Sequence, residues 1–225
     1  MALHKSEAIL LKAFNWSESS RTVVFFTRRV GKLPLVDRGG RSIKSRRGRL
    51  HPFSPLELTY YASEKESRGY LSSIDLIEAR RFEGEGSLGR LAFGSAACEL
   101  LYLLLPEEEA QVGLYDYFNA YLKYVDLADR RSLPALFLAF FLRTLSSLGY
   151  HPSLDRCVGC NRETGDSAPE SDDVLFSPER GGAICAACQT AGDYYIRLSS
   201  RAAGRLATLQ KSGLSQAAAV PISYQ

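Results

Sequence analysis

Four of the five cysteines stand in two pairs, Cys157-Val-Gly-Cys160 and, 24 residues later, Cys185-Ala-Ala-Cys188. Two residues between thiolates let one tight turn offer both sulfurs to a single ion, and two such turns close a tetrahedral shell. The pattern predicts one zinc ion held by Cys157, Cys160, Cys185 and Cys188. Four thiolates leave no open position for water, so the ion would be structural. The segment 154–192 has few apolar side chains, and a piece of about 40 residues needs a metal or another staple to fold. Redox disulfides are the alternative use of the same pairs. Cys98 shares a helical face with Leu91, Leu101, Tyr102 and Leu105 and is expected to be a buried thiol.

The second constellation is electrostatic. Residues 1–79 carry 14 basic and 8 acidic side chains, whereas residues 80–225 carry 14 and 17. The excess concentrates in residues 28–49, where Arg28, Arg29, Lys32, Arg38, Arg41, Lys44, Arg46, Arg47 and Arg49 face the single acid Asp37. Such a block suits a polyanion, nucleic acid first. Trp16, in a polar turn, is the best-placed aromatic to stack on a base. Of Phe25 and Phe26, which point to opposite faces of a strand, one is expected in the core.

No set of residues reads as catalytic. His4, His51 and His151 stand outside any triad or metal motif, and the chain is expected to be a binding protein, not an enzyme, with no small-molecule substrate. Gly84-Glu-Gly86-Ser-Leu-Gly89 matches a dinucleotide fingerprint in letters only, because no buried strand precedes it and no βαβ unit follows. A flexible linker is the better reading.

The elements that must position these residues follow from periodicity. Strands are expected at Ser6–Ala13, Arg21–Arg29, Leu33–Val36, Phe53–Tyr61 and Tyr70–Ile77, rich in branched and aromatic residues and separated by turns. Five short strands in so few residues fit a small barrel, an OB-fold first and an SH3-like barrel second. Beyond Arg80 the period is helical: Leu88–Leu105, Glu107–Asp126 with its acids in the first turn, a helix capped by Ser132 and ended near Gly149, and Ser199–Lys211. The chain is therefore expected to be α+β: a barrel domain at 1–79, a helical bundle at 80–153 and 193–225, and a zinc module at 154–192 inserted between them. With 45% hydrophobic and 24% charged residues it is not a disordered chain. No apolar stretch reaches the roughly 20 residues of a membrane span, since Glu99 interrupts 91–105. Ile9-Leu10-Leu11 is too short for a signal core, which makes the cytoplasm the expected location.

Three stretches together resemble the RecO family of bacterial recombination mediators. They are Gly31-Lys-Leu-Pro-Leu-Val-Asp-Arg-Gly-Gly-Arg41 running on to Lys44-Ser-Arg46 and Leu50-His-Pro-Phe53; Phe141-Leu-Arg-Thr-Leu-Ser-Ser-Leu-Gly-Tyr-His-Pro152 leading to Cys157 and Cys160; and Phe176-Ser-Pro-Glu-Arg-Gly-Gly182 leading to Cys185 and Cys188. Their order and spacing extend the resemblance over nearly the whole chain, which looks most like the Deinococcus form. Asp37 departs from the pattern, in which a small residue precedes the Arg-Gly pair. The resemblance implies an N-terminal OB-fold, a helical domain and a zinc module. It also implies binding of single- and double-stranded DNA, annealing of complementary strands, and cooperation with RecR in the RecFOR pathway. There it would help RecA replace single-stranded DNA-binding protein, itself a further partner, at the nucleoid.

On this reading Arg28, Lys32, Arg38, Arg41, Lys44, Arg46, Arg47 and Arg49 neutralise phosphates and Trp16 stacks on a base. Two other readings use the same residues differently. In one the chain is a zinc-stabilised adaptor whose working surfaces are the acids around Asp172 and Asp173 and the aromatic helix Tyr115–Tyr124. In the other it binds RNA.

Overall fold

A computed structural model of the chain describes residues 2–42, 50–62, 69–164 and 173–222. They form two compact units, Met1–Arg130 and Arg131–Gln225.

The first unit opens with strands β1 (Ala2–Asn15), β2 (Arg21–Thr27), β3 (Gly31–Asp37), β4 (Pro55–Ala62) and β5 (Gly69–Leu76). They pair in the order β1-β2-β3-β5-β4, and β4 returns to β1 in register Ser6↔Leu58, so the five strands close into a ring. All ladders are antiparallel except β3 with β5. Alternation sends Ala8, Val23, Phe25, Leu33, Leu35, Leu56, Leu58, Tyr60, Leu71 and Ile74 inward as one core.

Two helices of this unit, α1 (Ser87–Leu104) and α2 (Val112–Leu127), cover part of the ring's outside. Of Phe25 and Phe26, one is in the ring core as expected, and the other is buried as well. Phe25 lies inside the ring, and Phe26 faces outward against Tyr115 and Phe118 of α2, with ring centroids at 5.5 and 6.4 Å. The aromatic run of α2 is consequently core: Tyr115, Phe118 and Tyr121 are fully buried. Of the aromatic residues in that run only Tyr124 is exposed, with Tyr117 partly so.

Two segments behave differently from their sequence reading. The acids Glu107, Glu108 and Glu109 do not open α2, which begins at Val112. They run beside β3 instead: Glu107 bridges Lys32, and Glu108 N–H donates to the Lys32 carbonyl at 3.1 Å. Gly31 makes this possible, since its φ is +85° and a Cβ there would meet the Glu109 carbonyl oxygen. The stretch Gly84–Gly89, read as a linker, runs into α1 from Ser87, and the residues just before it are pinned. Arg80 is buried and donates to the Phe53 carbonyl (3.0 Å) and Asn119 (2.7 Å), and Phe82 N–H donates to Asp126 at 3.0 Å. By length and composition α1 is the one described helix apolar enough to cross a membrane, at the lower limit; Ala97, Cys98 and Leu101 face the unit's core.

The second unit contains α3 (Leu133–Ser147), strands β6 (Val174–Ser177), β7 (Gly182–Ile184) and β8 (Ile196–Leu198), then α4 (Ser200–Lys211) and α5 (Leu214–Ala217). The strands form a small antiparallel sheet, β7-β6-β8, that the sequence reading did not anticipate. Helices α3, α4 and α5 enclose a core of Ala135, Ala139, Leu142, Leu154, Leu209 and Ala217. Ser132 makes no side-chain cap, whereas Ser199 Oγ accepts from Ala202 N–H at 3.3 Å. Gly149, at φ +88°, ends α3 as expected.

The contacts thus join α1 and α2 to the strands, where the sequence reading drew a boundary at 79 and grouped all helices together. Phe26→Ala is expected to lower stability by about 3–5 kcal/mol in urea unfolding, while exposed Leu127→Ala stays within about 0.5 kcal/mol.

Candidate functional site

The strand ring separates the predicted basic residues into two groups. Arg28 and Lys32 stand at the helix-covered end of the β2–β3 hairpin. Arg28 makes a two-pronged pair with Asp116 of α2, at 2.8 and 3.1 Å, and that carboxylate raises its pKa. Lys32 Nζ donates to the Tyr102 carbonyl of α1 at 3.1 Å and lies 5.7 Å from the Tyr102 ring centroid. Both side chains are engaged with helices.

The other group lies at the far end of the hairpin, about 20 Å along a seven-residue strand. Here the β1–β2 turn, which carries Trp16, is tied to the turn after β3. Arg41 N–H donates to the Ser19 carbonyl at 3.2 Å, its guanidinium donates to the Ser17 carbonyl, and Gly39 N–H donates to Ser20 Oγ at 3.4 Å. Trp16 is 58% exposed. Arg38 lies over the ring of Tyr70, its Cζ 4.3 Å from the centroid, and donates to the Tyr70 hydroxyl at 3.0 Å. Tyr70 is a residue the sequence reading missed; its position at the start of the last strand, just after the β4–β5 connection, was the available signal. Lys44, Arg46, Arg47 and Arg49 lie outside the described residues.

Asp37, the lone acid of the basic block, is turned inward. It is 1% exposed, accepts from Arg21 Nε at 2.9 Å, and the turn wraps so closely that a Cβ at Gly40 would strike its carboxylate. Its charge is spent organising the turn and does not oppose a phosphate outside. Asp173, from the acidic stretch, pairs with Arg197 at 3.5 Å, and Asp172 lies outside the described residues.

In the second unit the four sulfurs of Cys157, Cys160, Cys185 and Cys188 lie within 4.8 Å of one another. A Zn–S bond of about 2.3 Å in a tetrahedron sets neighbouring sulfurs about 3.8 Å apart, and Cys160 Sγ to Cys185 Sγ is 3.7 Å. The first knuckle is a tight turn closed by Asn161 N–H to the Cys157 carbonyl (2.8 Å), and the second is a short 3-10 turn, Ala186–Cys188. Gly159 lets the knuckles approach, since a Cβ there would come within 3.0 Å of Cys188 Cβ and Sγ. Val158 N–H donates to the Ala183 carbonyl at 2.9 Å and fastens the first knuckle to β7.

Burial disfavours the Cys157 thiolate, but backbone N–H groups of Cys185, Cys160 and Gly159 outweigh that and bring the thiol down to about 6. Hydrogen bonds to Cys160 and Cys185 push the Cys188 thiol up to about 12. Four crowded sulfurs cannot all ionise unaided, and a divalent cation removes that conflict. The donor set therefore fits a metal ion. Cys98 is a different case: burial, with Glu99 nearby, pushes its thiol up to about 12, and it donates to the Leu10 carbonyl at 3.6 Å.

Residues 1–80 match the family description Recombination protein O N terminal, and residues 85–225 match Recombination protein O C terminal. Among curated relatives, a DNA repair protein RecO of Symbiobacterium thermophilum is 34% identical over 94% of this chain and 80% of its own length. The DNA repair protein RecO of Anaeromyxobacter dehalogenans (strain 2CP-C) is 32% identical over 97% and 84%. That of a Thermoanaerobacter species is 32% identical over 84% and 72%.

Metal analysis of the purified chain is expected to return one zinc per chain. Stripping it with a chelator is expected to raise amide exchange across Ser153–Cys188 while leaving the β1–β5 ladders protected, which hydrogen-exchange mass spectrometry reads directly.

Proposed function

The chain belongs to the recombination protein O family, and on that premise we propose that it is a recombinational DNA repair protein that binds single- and double-stranded DNA and anneals complementary strands. With RecR it helps load RecA onto DNA coated by single-stranded DNA-binding protein. The carrying observation is the joining of the Trp16 turn to the Arg38–Arg41 turn at one end of a closed five-strand ring. The pairing order supports reading the ring as an OB-fold barrel, a fold whose β1–β2 and β4–β5 loops flank the oligonucleotide site. Trp16 occupies the first of those loops and Tyr70 follows the second. In sequence the Arg41 turn leads directly to Lys44, Arg46, Arg47 and Arg49.

Annealing needs no bond chemistry. A cationic surface lowers the repulsion between two strands and raises their local concentration. Arg38, Arg41 and the four basic residues after them supply phosphate contacts that carry no sequence information. Arg28 and Lys32, engaged with α1 and α2, contribute less than the sequence reading assigned them. The zinc held by Cys157, Cys160, Cys185 and Cys188 has a structural role. Location at the nucleoid in the cytoplasm, and likeness to the Deinococcus form, belong to the same reading.

A salt titration on fluorescent single-stranded DNA, followed by anisotropy, tests it. Each neutralised phosphate contributes about −0.7 to the log–log slope. Reversing Arg46, Arg47 and Arg49 to glutamate is expected to weaken binding and flatten the slope by about two units. Negligible binding by the wild-type chain at low salt, or RNA outcompeting DNA of the same sequence, contradicts the proposal.

A further inference from the structure

The outward face of the ring is divided. One half is closed by helices, through Phe26 beneath Tyr115 and Phe118 and through Lys32 against Tyr102. That half includes much of the β2–β3 surface on which OB-folds usually carry oligonucleotides. Elsewhere the described residues leave strand surface exposed, and the strand registers place one row of side chains round the ring, meeting α1 at its Phe14 end, where the Phe14 ring lies 5.9 Å from that of Tyr102. Phe14 of β1 is opposite Thr22 of β2, Thr22 opposite Val36 of β3, Val36 opposite Tyr70 of β5, Tyr70 opposite Tyr61 of β4, and Tyr61 opposite Leu3 at the start of β1. Directly opposed residues share a face, so all six point outward, while their neighbours Val23, Leu35, Leu71 and Tyr60 line the core.

The row is apolar and aromatic where a soluble strand surface is ordinarily polar. Leu3 is 57% exposed, Tyr61 42% and Phe14 40%. Charge frames it asymmetrically. Arg38 lies on the Tyr70 ring at one edge. Further along the strands, about 13 Å away on β1 and β4, Glu7, Glu57 and Asp75 form an acidic row, of which Glu57 is paired with Lys5 at 3.2 Å. A polyanion laid on this face is drawn to the aromatic row and repelled from the acidic one.

We propose that Tyr61 and Tyr70 form a stacking platform for the unpaired bases of single-stranded nucleic acid. The strand runs from the platform past Val36 and Thr22 toward the Trp16 turn. The two tyrosines are cross-strand neighbours with Cβ atoms about 5 Å apart, so they present two adjacent π faces. Arg38, already seated on one of them, adds a cation where a phosphate would pass. A duplex keeps its bases stacked inside and cannot use these rings, so the platform selects single strands over double strands at a surface whose phosphate contacts do not discriminate. The inference rests on the DNA-binding reading above and specifies where within it the bases lie.

The experiment uses the full chain and measures affinity for a mixed-sequence single-stranded oligonucleotide and for a blunt duplex. Tyr61→Leu and Tyr70→Leu are each expected to weaken single-strand binding by about five- to a hundred-fold. For Tyr61→Leu, duplex affinity and the salt slope are expected to stay at wild-type values. Tyr61→Trp is expected to restore single-strand affinity, and in a Trp16→Phe background its indole fluorescence is expected to be quenched on binding. Thermal unfolding confirms that each variant is folded. Equal loss on both substrates, no loss on either, or an indole blind to the oligonucleotide overturns the platform while leaving DNA binding intact. A wild-type chain that binds neither substrate overturns the reading beneath it.

Discussion

The burial of Phe26 on the outside of the strand ring is the contact on which the first unit depends. A closed ring satisfies its backbone hydrogen bonds and fills its own interior, so nothing about its core calls for further cover. An outward phenylalanine does call for it. Tyr115 and Phe118 meet it edge-on and tilted, and α2 is thereby fixed against β2, with α1 alongside. The short path from β3 past Gly31 to the 107–109 segment, and the buried Arg80 that bonds both Phe53 and Asn119, hold the same helices from either side. Burial lowers the Arg80 pKa, and its nearest carboxylate, Glu78, partly offsets that.

Because the helices take one half of the outer surface, chemistry is confined to the other. Arg28 and Lys32 are drawn into contacts with α1 and α2, whereas Arg38 and Arg41 remain at the open end beside Trp16. Asp37 shows the same economy on a smaller scale: the only acid in a basic segment is folded under its own turn and paired with Arg21. The metal centre stands apart from this logic. An ion bound there would let a segment with little apolar material hold two turns and a three-stranded sheet in register, and the packing of Gly159 on Cys188 brings the two knuckles close together.

What the sequence made legible was local. Five strands could be read from runs such as Thr22–Thr27, α3 could be ended at Gly149, and the two C-x2-C pairs announced the cluster that the fold assembles. What it hid depends on partners distant in the chain. Glu107–Glu109 look like a helix start until β3 offers their backbone a better partner. Of Phe25 and Phe26 only one could be assigned to the core until α2 covers the other. Tyr61 and Tyr70 become neighbours only through register, and register rests on bulges near Lys12 and Tyr60 and on a parallel β3–β5 contact that no local pattern encodes. The basic block was visible as charge, but which of its members face open solvent was a tertiary question.

The central claim is that nucleic acid meets the open end of the ring and not its helix-covered half. Photo-cross-linking an oligonucleotide carrying iododeoxyuridine, with mass-spectrometric mapping of the linked peptides, tests that claim most directly. The account predicts adducts on the peptides containing Trp16, Tyr61 and Tyr70. Adducts confined to α1 and α2, or to Arg131–Gln225, would contradict it.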